Sequence, residues 1–185
     1  MTQAATLLPG EPAYTITARV LHWLTAALVV LLIVGGIVMT RMPEGPAQIL
    51  VFDLHRSAGW LILPLIIIRL AYRLRNTPGP LPAEIAPIQR FAAEATHWLL
   101  YAGLIVQPFI GWLGMSTYGV PVRLFWLVDV PNIWTKNEAL SEKLFVLHDY
   151  IGYGLAALIA VHVSAALFHH FVLRDNVLMR MTRGA

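Results

Sequence analysis

Apolar residues fall along this chain in four long blocks separated by short polar stretches, and the first block sets the scale. From Val20 to Thr40 no Asp, Glu, Lys or Arg occurs. That run is long enough to cross a hydrocarbon core of about 30 Å as a helix. It ends at Arg41 and the Pro43/Pro46 turn. The second block is interrupted, because Arg56 and Arg69 lie too close together for an uncharged span between them. Arg69 is therefore placed inside a transmembrane helix, where a charged side chain needs a partner and marks function. Pro78, Pro80, Pro82 and Pro87 then predict a surface loop. The third block carries His97. A mixed segment from Tyr118 to Glu142, with Trp126 and Trp134, reads as a capping loop at the membrane interface, where tryptophan is favoured. The fourth block returns to water at Arg174-Asp175-Asn176. The pattern predicts an all-α fold, a four-transmembrane-helix bundle with helices over about 17–40, 49–74, 91–117 and 144–173, forming one integral membrane domain over 1–185.

Charge sharpens this picture. Only 12% of residues are charged, against about 25% in ordinary soluble domains. Thirteen Lys and Arg stand against ten Asp and Glu, scattered between apolar runs, which predicts no nucleic-acid surface. Four spans put both termini on one side. That side collects Arg19, Arg69, Arg73, Arg75, Arg90, Arg174, Arg180 and Arg183, while most acids fall on the other. The bias predicts that both termini are cytoplasmic.

The chain has no cysteine, which excludes disulfides, thiolate iron–sulfur clusters, covalent c-type haem and Cys-ligated zinc. A metal must be held by histidine, carboxylate or thioether. His148 and His162 are 14 residues apart on one helix, so they share a face about 21 Å apart along the axis. Topology sorts the others by depth: His55 falls near the outer face with His148, and His22 near the inner face with His162. His97, His169 and His170 are further inner-level histidines. Two imidazoles across a flat macrocycle make a six-coordinate iron suited to passing electrons. Two such sites at two depths would form a wire. Arg56 follows His55, and Arg69 lies 14 residues after it; either can hold a haem propionate by a charge-assisted bond. His97 could replace His22 or His162, or serve a quinone or a propionate.

The segments ARVLHWLTAALV, LHRSAGWLILPLIIIRLAYRL, THWLLYAGLIVQPFIGWL and LHDYIGYGLAALIAVHVSAALFHHFVLRDNVLMRM resemble, in order and spacing, the four helices of the bacterial cytochrome b561 family. The resemblance implies two haems b, with iron axial ligands His22 and His162 at the inner centre and His55 and His148 at the outer one. It also implies a multi-pass protein of the bacterial inner membrane that exchanges electrons with ubiquinone. The family includes superoxide oxidases, so the expected activity is superoxide:ubiquinone oxidoreductase, with superoxide oxidised at the periplasmic side. A quinone would sit at the inner end near His97, His169 and Arg73, or equally against the outer haem. The alternative is a haem-bearing membrane anchor that relays electrons between a partner dehydrogenase or hydrogenase and quinone. Expected partners are membrane lipid, quinone, and superoxide or a partner redox protein.

Overall fold

A computed structural model describes residues 13–77 and 85–183. Four helices in it are long and apolar enough to cross a membrane. They are α1 (Ile16–Met39), α2 (Pro46–Arg75), α3 (Pro87–Tyr118) and α4 (Glu138–Phe168). A π-helical turn, His169–Leu173, extends α4 without a break, and a short α5 (Met179–Thr182) closes the chain. The middle of the proline-rich loop, 78–84, lies outside the described residues.

Local chemistry explains the helix ends. Thr15 Oγ1 accepts from the Ala18 N–H at 3.2 Å, and Asn137 Oδ1 accepts from Leu140 N at 3.0 Å, each satisfying a donor of a first turn. Pro46 and Pro87 open α2 and α3 where no amide donor is needed. Gly119 stops α3 in the left-handed region at φ 91°. Helix α4 starts six residues before the expected 144, because Asn137 caps a charged extramembrane turn containing Glu138, Glu142 and Lys143.

The expected loop between α3 and α4 contains a small antiparallel hairpin, β1 (Val122–Leu124) and β2 (Val128–Val130). Phe125 and Trp126 occupy its turn at φ 45° and 62°, a conformation bulky residues rarely adopt. Long-range bonds hold it there. Ser57 Oγ on α2 accepts from Phe125 N at 2.9 Å, Trp126 Nε1 donates to Asp53 Oδ2 at 3.3 Å, and Arg123 pairs with both oxygens of Asp129 across the strands. The hairpin's Trp126 and, beyond it, Trp134 are exposed.

The helices pack as two pairs. Helix α1 lies against α2 and α3 against α4, with α2 and α3 joining the pairs. Helices α1 and α4 make little direct contact, as do α2 and α4. The core of Val29, Ile62, Ile66, Tyr101, Leu104 and Leu155 is correspondingly small. The α3–α4 pair is tight: a Cβ added at Gly103 would lie 2.6 Å from Leu155 Cδ2. Gly103→Ala is expected to cost about 1–3 kcal/mol by overpacking, whereas Gly154→Ala, which would meet nothing within 4 Å, is near neutral. Thermal unfolding in detergent checks this, and equal melting temperatures for the two variants would count against it.

Candidate functional site

Histidines bridge the seam that the helices leave open. His55 on α2 faces His148 on α4, with ring centres 6.3 Å apart and planes at 77°. Glycine makes room for both. A Cβ at Gly36 on α1 would lie 3.2 Å from His55 Cε1, and one at Gly111 on α3 would lie 3.1 Å from His148 Cε1. Each ring thus packs the edge bearing Nδ1 and Cε1 against helix backbone. Nδ1 of each is buried with no hydrogen-bond partner among the described residues. Gln107 Nε2 donates to the His148 backbone carbonyl at 2.7 Å and ties α3 to α4 at this level. Both rings line a half-open cleft walled by Val29, Leu32, Gly59, Ile62 and Leu155 among others. A mostly apolar lining with two imidazoles set in it suits an apolar ligand held by a few polar groups.

The second group sits at the other depth. His22 on α1 and His162 on α4 also have ring centres 6.3 Å apart, with planes at 58°. His97 on α3 is closer to His162, at 5.2 Å. Arg69 Nη2 donates to His22 Nδ1 at 2.7 Å, and its guanidinium lies 5.3 Å from the centre of the Tyr101 ring. Arg73 approaches the same ring at 5.7 Å. Tyr101, one turn beyond His97, is therefore a shared cation–π platform for both arginines.

The sequence profile described as prokaryotic cytochrome b561 matches residues 13–184. The chain belongs to the prokaryotic cytochrome b561 family. Cytochrome b561 homolog 2 of Escherichia coli (strain K12) is 30% identical over 176 residues, covering 91% of this chain and 90% of the relative. A Yersinia pestis protein named probable superoxide oxidase CybB is 30% identical over 161 residues, with 87% and 90% covered. Cytochrome b562 of Cereibacter sphaeroides is 28% identical over 179 residues, with 94% and 97% covered. As a member of this family the chain is a membrane cytochrome that binds haem b and transfers electrons.

The histidine pairs fit that cofactor. Two imidazole nitrogens on opposite sides of one metal, each about 2 Å from it, put the ring centres about 6 Å apart. Both 6.3 Å pairs meet this distance. The 5.2 Å between His97 and His162 is too short for it, which separates His97 from His22 as a partner for His162. The packed Nδ1 edges of His55 and His148 leave Nε2 as the nitrogen able to coordinate a metal.

The other expected site residues are placed as follows. Arg56 pairs with Asp53, donates to the Phe52 carbonyl at 3.3 Å, and reaches Met115 Sδ at 3.9 Å. It is not among the residues lining the cleft. Arg69, expected to need a partner, has one in His22 Nδ1. His97 and Arg73 gather around Tyr101 and His162, whereas no hydrogen bond or ring contact joins His169 to them among the described residues. His169 pairs instead with Asp175. Tyr101, Gln107, Gly36 and Asp175 were not singled out from the sequence. The i, i+4 spacing of His97 and Tyr101 is the one signal that pointed to any of them.

Proposed function

We propose that this cytochrome holds two haems b, an inner one between His22 and His162 and an outer one between His55 and His148. The membrane is a bacterial inner membrane with both termini cytoplasmic, and the reaction is oxidation of superoxide at the periplasmic face with reduction of ubiquinone. The observation that carries this is the equal 6.3 Å separation of two histidine pairs at two depths, on a chain 30% identical to a protein named probable superoxide oxidase. Haem at each pair supplies a one-electron carrier with no open iron position.

The chain's own residues do the remaining work. The four histidines fix the iron levels, and the glycines behind His55 and His148 hold those rings on backbone. Arg69 can only donate, so in its bond to His22 the Nδ1 carries the lone pair and Nε2 the proton. Were His22 to hold a haem iron through Nε2, its proton would sit on Nδ1, and Arg69 would be free to hold a haem propionate instead. His97, Arg73 and, further along α4, His169 form the polar end at which a quinone oxygen can be held.

A second reading is favoured by the outer charges. Of the outer cations that could draw in a small anion, Arg56, Arg123 and Lys136 are paired, with Asp53, Asp129 and Glu138 respectively, while Lys143 has no ion pair among the described residues. The hydrogen bond from Arg123 holds the Asp129 carboxyl below the usual carboxylate range, so this pair stays intact at neutral pH. Neutralised cations and an exposed apolar hairpin suit a partner redox subunit. Purified protein decides between the readings. Two haems b per chain, reduced by enzymatically generated superoxide and reoxidised by ubiquinone, support the first. Haems that superoxide leaves oxidised, and that a co-purifying subunit reduces, support the second.

A further inference from the structure

The C-terminal end of α4 holds a group that the electron path does not use. His169 opens the π-helical turn, a deformation often found at functional sites. Arg174 then turns the chain back at φ 57°, with its N–H on the His169 carbonyl. The reversal brings Asp175 against His169, so that His169 Nδ1 bonds to Asp175 Oδ2. The Asp175 N–H donates to the His169 carbonyl at 3.2 Å, and Asp175 Oδ1 accepts from Val177 N at 3.0 Å. Both carboxylate oxygens are thus committed, and the imidazole is held by side chain and backbone together.

A carboxylate only accepts, so the proton on His169 faces Asp175 at Nδ1 and Nε2 is left to exchange a second one. His169 Nε2 makes no protein hydrogen bond among the described residues. The side chains of the pair keep 14% and 23% of their exposure, and the chain leaves the apolar run directly after them at Arg174-Asp175-Asn176. Seven residues separate His169 from His162, which places it about 20° round the helix and about 10 Å further along, on the same face. The dyad therefore lies just beyond the inner cluster of His162, His97 and Arg73, on the side of the chain's end.

We propose that His169 and Asp175 form a proton-delivering dyad for quinone reduction, with His169 Nε2 as the donor and Asp175 as its positioning residue. The proposal rests on the quinone reading given above. Reduction of a quinone to quinol needs two electrons and two protons. The electrons come from two superoxide ions, each leaving as dioxygen. One proton comes from imidazolium: the Nε2–H bond breaks as an O–H bond forms on one quinone oxygen, water on the terminal side reprotonates His169, and the other quinone oxygen takes the second proton from solvent water. Asp175 holds the ring in one tautomer and stabilises the imidazolium, as a carboxylate does for a catalytic histidine elsewhere.

The test is stopped-flow reoxidation of dithionite-reduced holoprotein by a short-chain ubiquinone. His169→Ala is expected to slow reoxidation by about a hundredfold while leaving haem content and spectra unchanged. Added imidazole should restore the rate with a saturating concentration dependence. Asp175→Asn, which keeps an acceptor without the charge, is expected to slow it by roughly tenfold and to enlarge the solvent deuterium effect. Wild-type rates in both variants overturn the dyad, as does a slowed rate that neither imidazole nor heavy water changes. Wild-type protein that quinone cannot reoxidise removes the quinone reading itself, and the dyad with it.

Discussion

Replacement of His162 by alanine is expected to remove the inner haem and leave the outer one, so that bound haem falls by half and the remaining signal is that of the His55/His148 centre. His162 is the decisive position because both other inner imidazoles depend on it: His22 stands 6.3 Å from its ring and His97 5.2 Å. His22→Ala is a weaker test, since His97 is near enough to move into the vacated place. His97→Ala should keep both haems. The reason for complete loss lies in the packing. Helices α1 and α4 make little direct contact at the seam, so without His162 nothing on α4 replaces the bond to iron. Haem quantitation and low-temperature spectra of the reduced protein read the outcome directly. Two unaltered six-coordinate centres in His162→Ala would contradict the assignment.

The four spans were readable because the physics of the bilayer is one-dimensional. An uncharged run such as Val20–Thr40 has few alternatives to a spanning helix, and once the spans alternate, depth sorts His22, His55, His148 and His162 without any knowledge of packing. What could not be read depends on contacts between distant parts of the chain. The hairpin turn carries Phe125 and Trp126 where Asn-Gly would advertise it, and it is held by Ser57 and Asp53 on α2, more than 60 residues earlier. The start of α4 was obscured by Glu138, Glu142 and Lys143, whose charges signal exit from the membrane but not the end of a helix. Asp175 was visible as a return to water. Its bond to His169 needed the π-helical turn and the left-handed Arg174, neither of which has a sequence signature.

Arg69 shows both sides of this. Its position within a span, with only 12 residues between it and the preceding arginine Arg56, called for a partner. Its partners, His22 from α1 and Tyr101 from α3, required the fold. The charge has a measurable consequence. Oxidised haem carries one more positive charge than reduced haem, so a nearby guanidinium disfavours oxidation and raises the midpoint potential. A unit charge roughly 8 Å from the metal, as for a guanidinium held beside His22 or on a propionate, is worth on the order of 2 kcal/mol at an effective dielectric near 20. For a one-electron couple that corresponds to roughly 90 mV. Arg69→Leu is therefore expected to shift the inner haem to more negative potential by tens of millivolts and to leave the outer haem where it was, whereas Arg69→Lys, which keeps the charge, should recover most of the difference. A redox titration followed optically at both centres measures this. An unchanged inner potential in Arg69→Leu, or an equal shift at both haems, would place the guanidinium away from the His22 centre. The leucine also removes a buried charge from the bilayer, so loss of the fold is not the expected route to any change.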